Sequence, residues 1–155
     1  MSRRDNHLTI EMPSRPENVG VARVSLAAFA SQLDFTLAEL EELKVAVSEA
    51  VTNCVLHAYP GRTGEVKVEA WISEGELGVR VTDWGVGIED VEQARQAAYT
   101  SSQDPDHLGL GFTFMENFMD RVEVWSQPGA GTVVTMTKRP RAAALQAANG
   151  EERRA

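Results

Sequence analysis

Glu49 and Asn53 stand four residues apart in the run Glu49-Ala50-Val51-Thr52-Asn53-Cys54-Val55-Leu56-His57. On a helix, that spacing places a carboxylate and a carboxamide roughly 40° apart, one turn above the other. An Asn oxygen is a hard ligand suited to Mg²⁺, which takes few protein ligands and keeps waters and phosphates. A Glu one turn away can orient or deprotonate an attacking hydroxyl. The small residues Ala46 and Ala50 beside them leave room for a group to approach. Two solvated helix residues are the plain alternative, since exposed polar side chains are the norm on helices.

Three glycine-containing segments have related chemistry. Asp83-Trp84-Gly85-Val86-Gly87 follows an alternating apolar run. A carboxylate at a strand end can accept a hydrogen bond from an exocyclic amine such as that of adenine, and glycines let backbone approach a flat ring or phosphates. Gly109-Leu110-Gly111 opens a helical pattern, where backbone N–H groups form an anion site. Gly131-Thr132 leads into the last strand pattern and places a hydroxyl near the same base. A glycine turn, a helix start and a hairpin end are the respective alternatives. No Gly-Lys-Ser/Thr follows the Gly-x-Gly, so neither a Walker A loop nor a dinucleotide fingerprint is present.

The elements that must carry these residues follow from periodicity. His7 to Met12 alternates and predicts a strand. Ser14 and Pro16 predict a helix start, and Val19, Ala22, Leu26, Phe29 and Leu33 supply its apolar stripe. Thr36 and Glu39 have capping-box spacing and open a second helix reaching about His57, with Leu40, Leu43, Val47, Val51 and Cys54 inward. Val66 to Ile72 and Leu77 to Val81 predict strands joined at Glu74-Gly75. Asp90 to Ala98 reads as helical, Thr100 to Leu108 as a polar, mobile loop, and Gly109 to Met119 as a helix. Val122–Val124 and Val133–Thr135 form a last hairpin around Pro128-Gly129-Ala130-Gly131. Trp71, Trp84 and Trp125 fall on or beside strands and are expected in or near the core, and Cys54 is expected to be an inert core residue. The expected fold class is α/β in the sense of an α+β two-layer sandwich: a mixed, mostly antiparallel sheet covered on one face by helices. Residues 1–139 form one domain, and the alanine-rich, charged 140–155 a disordered or frayed tail.

The 155 residues carry a net charge of −8, which argues against a nucleic-acid binder. The single cysteine excludes an internal disulfide and fits a reducing compartment. No apolar run approaches the roughly 18 residues of a membrane span, and no signal-peptide pattern opens the chain. A cytoplasmic protein is expected.

The order of the four segments resembles the GHKL ATPase superfamily, which includes histidine-kinase catalytic domains, heat-shock chaperones, gyrase-type topoisomerases and anti-sigma factor kinases. Val21-Ala22-Arg23-Val24, Val47 to Asn53, and Gly111-Phe112-Thr113-Phe114-Met115-Glu116-Asn117-Phe118-Met119-Asp120 are similar to the sporulation anti-sigma F factors. That resemblance implies a Bergerat-type ATP-binding fold and a homodimer that binds ATP or ADP with Mg²⁺. It implies inhibition of a sporulation sigma factor and phosphorylation of a serine on an anti-anti-sigma factor. Glu49 would be the general base, Asn53 the Mg²⁺ ligand, and Asp83 the partner of the adenine amine, with Thr132, Gly85 and Gly87 nearby. Thr100, Ser101, Gly109, Leu110, Gly111 and Phe112 would form the lid and phosphate cradle, and Arg23 would contact protein partners. The family lid commonly carries an arginine where this chain has His107-Leu108, and a lysine where Ser102 stands. Arg95, Arg62 or a partner residue are candidates to replace that charge. The departure keeps open a nucleotide-dependent binding switch without catalysis. A detached histidine-kinase domain ranks lower, since no helix pair with a phosphoacceptor histidine precedes the ATP site. Chaperones and topoisomerases need further domains.

Overall fold

The computed structural model describes residues 5–96, 108–142 and 149–151. Strand β1 (Asn6–Pro13) leads into helix α1 (Glu17–Ala30), and α2 (Leu37–Asn53) follows. A π-helical turn, Cys54–Ala58, then extends α2. Strands β2 (Glu65–Ser73) and β3 (Glu76–Asp83), helices α3 (Val91–Gln96) and α4 (Leu108–Phe118), and strands β4 (Arg121–Gln127) and β5 (Gly131–Lys138) complete the order.

The five strands form one sheet in the order β1-β2-β3-β5-β4. All four pairings are antiparallel, so the parallel component of the expected mixed sheet is absent among the described residues. Glu74 and Gly75 both have positive φ, which matches the right-handed strand twist and closes β2 onto β3 in two residues. Register then sets one apolar face: Val68 lies opposite Val81, Ala70 opposite Val79, and Val79 opposite Met136. Leu26, Leu43, Val47, Val51, Phe112 and Met115 of the three long helices cover that face, and all are buried.

The start of α2 follows the capping prediction. Thr36 Oγ1 accepts the Glu39 N–H at 3.1 Å and Glu39 Oε2 accepts the Thr36 N–H at 3.0 Å. Helix α1 starts directly after Pro16, as expected. Pro16 precedes the helix without a side-chain cap, and the Ser14 hydroxyl instead accepts the Gly64 N–H at 3.0 Å, tying β1 to the loop before β2. The tryptophans also differ from expectation: Trp84 is 51% and Trp125 53% exposed. Trp125 alternates with Val124 and so falls on the outer face of the sheet. Trp71 also faces outward, over Gly78 and under the Arg80 guanidinium at 5.2 Å. Ala46 is fully buried, so protein fills the space beside it.

Periodicity gave no sign of one internal charge. Lys138 lies on the inner face of β5 and is 3% exposed. Its Nζ donates to the Phe118 carbonyl at 2.5 Å, at the end of α4, and to Glu42 Oε2 at 3.1 Å. Burial works against the charge on Glu42, but bonds from Arg141 and Lys138 outweigh it and hold its pKa below the ordinary value. Arg141 N–H also donates to Glu39 at 3.0 Å, so the segment after the buried Pro140 rests on the start of α2. Lys138 thus joins the ends of α4 and β5 to α2. Lys138→Met is expected to cost about 2 kcal/mol, because it leaves a buried carbonyl and a carboxylate short of a donor. A lowered urea midpoint at unchanged slope would show this; an unchanged midpoint would contradict it.

Candidate functional site

A cleft opens between the end of α2, the end of β3, the start of β5 and helix α4. Its lining includes Asn53, Asp83, Gly87, Phe112 and Thr132, all named from the sequence, together with Ala50, Cys54, His57, Ala58, Val81, Ile88 and Val134.

Asp83 is the last residue of β3, 5% exposed, with its register partner Thr132 beside it. Its carboxylate accepts the Gly85 N–H at 3.0 Å, and the Thr132 backbone and the Cys54 thiol beside it also favour its charge. Burial outweighs these three neutral groups, and the Asp83 pKa lies above its ordinary value. Cys54 is pushed far up by the same burial and by the Asp83 charge, so its thiol keeps the proton it shares between Asp83 and the Ala50 carbonyl at 3.4 Å. Cys54 is buried as expected, yet it also forms part of the cleft wall.

The turn after Asp83 is held by backbone contacts. Gly85 is not among the cleft-lining residues. A Cβ there would collide with the Ala58 carbonyl, so its place is against the π-helical turn. Val86 N–H donates to that carbonyl at 2.9 Å. Gly87 has φ +75° and packs on Gln127 of the last hairpin while still facing the cleft. Tyr59 braces the same turn: its hydroxyl accepts the Trp84 N–H at 2.9 Å and donates to the Glu65 carbonyl at 2.5 Å. Burial raises the Tyr59 pKa, which keeps this donor protonated.

Glu49 and Asn53 meet at the start of α4. A Cβ on Gly111 would stand 3.1 Å from Glu49 Oε2 and 3.5 Å from both amide atoms of Asn53. The bare α-carbon therefore lets the first turn of α4 approach both side chains, and N–H groups in a first turn have no partner within their helix. Gly109 and Leu110 belong to that turn. Asn53 Nδ2 and His57 Nε2 are buried without a hydrogen-bond partner among the described residues. An orphaned amide and an orphaned imidazole are what a polar ligand would satisfy. The π-helical turn, which replaces the expected α-helical run to His57, sets that imidazole into the wall. Such turns are frequent at functional sites.

Glu49 has a second neighbourhood. With Arg23, Glu41, Lys44, Val45 and Ser48 it lines a groove on the outer surface of α1 and α2. Arg23 lies in this groove, 3.4 Å from the Ser48 hydroxyl, and not in the cleft. Thr100, Ser101, Ser102 and His107 lie outside the described residues. Neither proposed substitute for the lid arginine lines the cleft. Arg95 pairs with Glu116 at 2.6 Å and reaches the Val122 carbonyl, and Arg62 lies over the Tyr59 ring at 4.9 Å.

His57, Tyr59, Cys54 and Ser126 were not assigned to the site from sequence. Only Ser126 left a signal: it and Thr132 flank the last turn symmetrically, as paired residues of a hairpin.

The raised Asp83 pKa has a consequence for stability. The folded protein binds a proton there more tightly than the unfolded chain, so the contribution of Asp83 is favourable at low pH and lost as pH rises through the raised value. Relative to non-titrating Asp83→Asn, the wild type is expected to gain stability between neutral pH and about pH 4. Urea unfolding of both proteins at the two pH values checks this; a pH-independent difference would contradict it.

Residues 12–138 match the histidine kinase-like ATPase domain family. The anti-sigma F factor of Pasteuria penetrans is 51% identical over 86% of this chain and 91% of its own length. Those of Caldanaerobacter subterraneus subsp. tengcongensis and Clostridium beijerinckii are 46% and 47% identical, covering 86% and 87% of this chain and 94% and 95% of theirs. Among solved structures, the RsbU and RsbW domains of a Mycobacterium tuberculosis protein superpose with a TM-score of 0.59 at 18% identity, over 86% of this chain and 32% of that one. A blue-light activated histidine kinase of Erythrobacter litoralis gives 0.55 at 20% identity, over 79% and 40%. The fold is thus shared with these two proteins, and the chain belongs to the anti-sigma F factor family of histidine kinase-like ATPases.

Proposed function

We propose that this chain is an anti-sigma factor and protein-serine kinase: it binds ATP with Mg²⁺, holds a sporulation sigma factor inactive, and phosphorylates a serine of an anti-anti-sigma protein. The observation that carries this reading is the meeting of Glu49 and Asn53 at Gly111, beside a cleft that Asn53 lines together with the buried Asp83. Asp83 and Thr132 would take the base. The first turn of α4, from Gly109 to Gly111, would take phosphates through its N–H groups, with Phe112 as apolar wall. Asn53 would present its amide oxygen to the metal. Mg²⁺ and ATP, when bound, supply the phosphoryl group and neutralise charge during transfer.

The placement of Glu49 fits a general base. Its side chain lines the outer groove and reaches Gly111, where Asn53 of the cleft wall also lies. A serine presented from that groove would lose its hydroxyl proton to the Glu49 carboxylate as its oxygen bonds to the γ-phosphorus, and the bond from that phosphorus to the bridging oxygen of ADP would break. Arg23, in the same groove, would contact the partner protein. A homodimer acting in the cytoplasm completes the reading. No described helix is long and apolar enough to cross a membrane.

One observation favours a second reading, a binding switch without catalysis. No lysine or arginine lines the cleft among the described residues, and phosphoryl transfer relies heavily on positive charge. Incubation with γ-labelled ATP and the cognate anti-anti-sigma protein separates the two. The kinase reading expects label on a partner serine, falling at least about 100-fold in Glu49→Gln. Nucleotide-dependent partner binding without label would establish the switch instead.

A further inference from the structure

The base end of the cleft is tied together by a hydroxyl that does not itself line it. Ser126 of β4 lies opposite Thr132 of β5. Its Oγ is 2.7 Å from Ile88 N, 3.0 Å from the Gly131 carbonyl oxygen and 2.9 Å from Thr132 Oγ1. A serine hydroxyl offers one proton and two lone pairs. The Ile88 N–H can only donate, so it occupies one lone pair. The Gly131 carbonyl can only accept, so it receives the proton. One lone pair remains, and the third contact is satisfied only if the Thr132 hydroxyl donates to it. The reverse arrangement, with Ser126 donating to Thr132, leaves the Gly131 contact unmade.

This count fixes what Thr132 offers to a ligand. With its proton directed to Ser126, its oxygen presents only lone pairs towards the cleft that it lines. The Asp83 carboxylate stands beside Thr132, and a carboxylate is a pure acceptor. Two acceptors therefore stand side by side, on residues directly opposite in the β3–β5 register. An exocyclic amine, with two N–H bonds on one nitrogen, is the purine substituent that such a pair fits.

We propose that Ser126 is a positioning residue which fixes the proton of Thr132, so that Thr132 and Asp83 jointly accept an exocyclic amine and select aminopurine nucleotides over purines lacking it. This rests on the adenine-nucleotide reading of the cleft and adds to it a residue outside the pocket. Ser126 also anchors Ile88, and a purely structural role would weaken all nucleotides alike. The test must therefore read a ratio.

Calorimetric titration with ATP and with purine riboside triphosphate, which has hydrogen in place of the amine, provides that ratio. The wild type is expected to prefer ATP. In Ser126→Ala, the Thr132 hydroxyl is free to turn and donate into the cleft, and the preference is expected to fall about fivefold. Ser126→Thr keeps the hydroxyl and is expected to restore it. Ser126→Cys, nearly isosteric with a weak donor, shifts the ratio in the same direction as alanine if the alanine variant does not fold. An unchanged ratio in the alanine or cysteine variant would overturn the role of Ser126 while leaving the nucleotide site standing. A wild type that binds neither nucleotide would overturn the adenine reading, and this inference with it.

Discussion

A buried carboxylate that faces no cation among the described residues is the constraint on which the rest of this structure depends. Asp83 accepts a backbone N–H from the turn that follows it, and its partner strand and the Cys54 thiol of the π-helical turn also favour its charge. Burying such a group costs stability unless it is hydrogen-bonded, and three neutral groups leave its proton affinity raised. A fold that keeps this arrangement is oriented towards a ligand that donates. Cys54, Gly85, Tyr59 and Ser126 contribute to keeping it: a thiol that stays protonated, a close backbone approach, a phenol bracing the turn, and a hydroxyl joining the strand ends.

Helix α2 connects that floor to the outer surface. Its capped start is joined to Arg141, and through Glu42 to Lys138 at the end of β5. Its last α-helical turn places Glu49 and Asn53 against Gly111, and the π-helical turn beyond sets His57 and Cys54 into the wall. Glu49 lines the groove that holds Arg23, and Asn53, one turn further on, lines the cleft. One helix thereby relates the cleft to the groove that holds Arg23, which under the proposed function is the coupling between nucleotide and protein partner.

Much of this was legible because each local rule agreed with the global fold. Capping at Thr36, the two-residue turn at Glu74-Gly75 and the alternation of β2, β3 and β5 each had a single physical solution. The helical spacing of Glu49 and Asn53 was enough to place them on one face. Features set by tertiary contact were not legible. Nothing in the local pattern marks Lys138 as buried, since its stabilising carboxylate lies 96 residues away. Periodicity reads an α-helix through His57, whereas packing of Ala58 against Gly85 accompanies a wider turn. Gly85, expected to admit a ligand, admits the Ala58 carbonyl instead. Aromatic preference for strands does not say which face an aromatic occupies, which is why Trp125 was misplaced.

The central claim is that Asp83, Asn53, Gly111 and Thr132 bound one adenine-nucleotide site. Calorimetric titration of the wild type and Asp83→Ala with ATP in the presence of Mg²⁺ tests it most directly. The account predicts one equivalent bound per chain by the wild type, and affinity reduced by at least about tenfold in the variant, since a hydrogen bond to a charged acceptor contributes about 1.5–3 kcal/mol. No heat of association with the wild type, or equal affinity in Asp83→Ala, would contradict it.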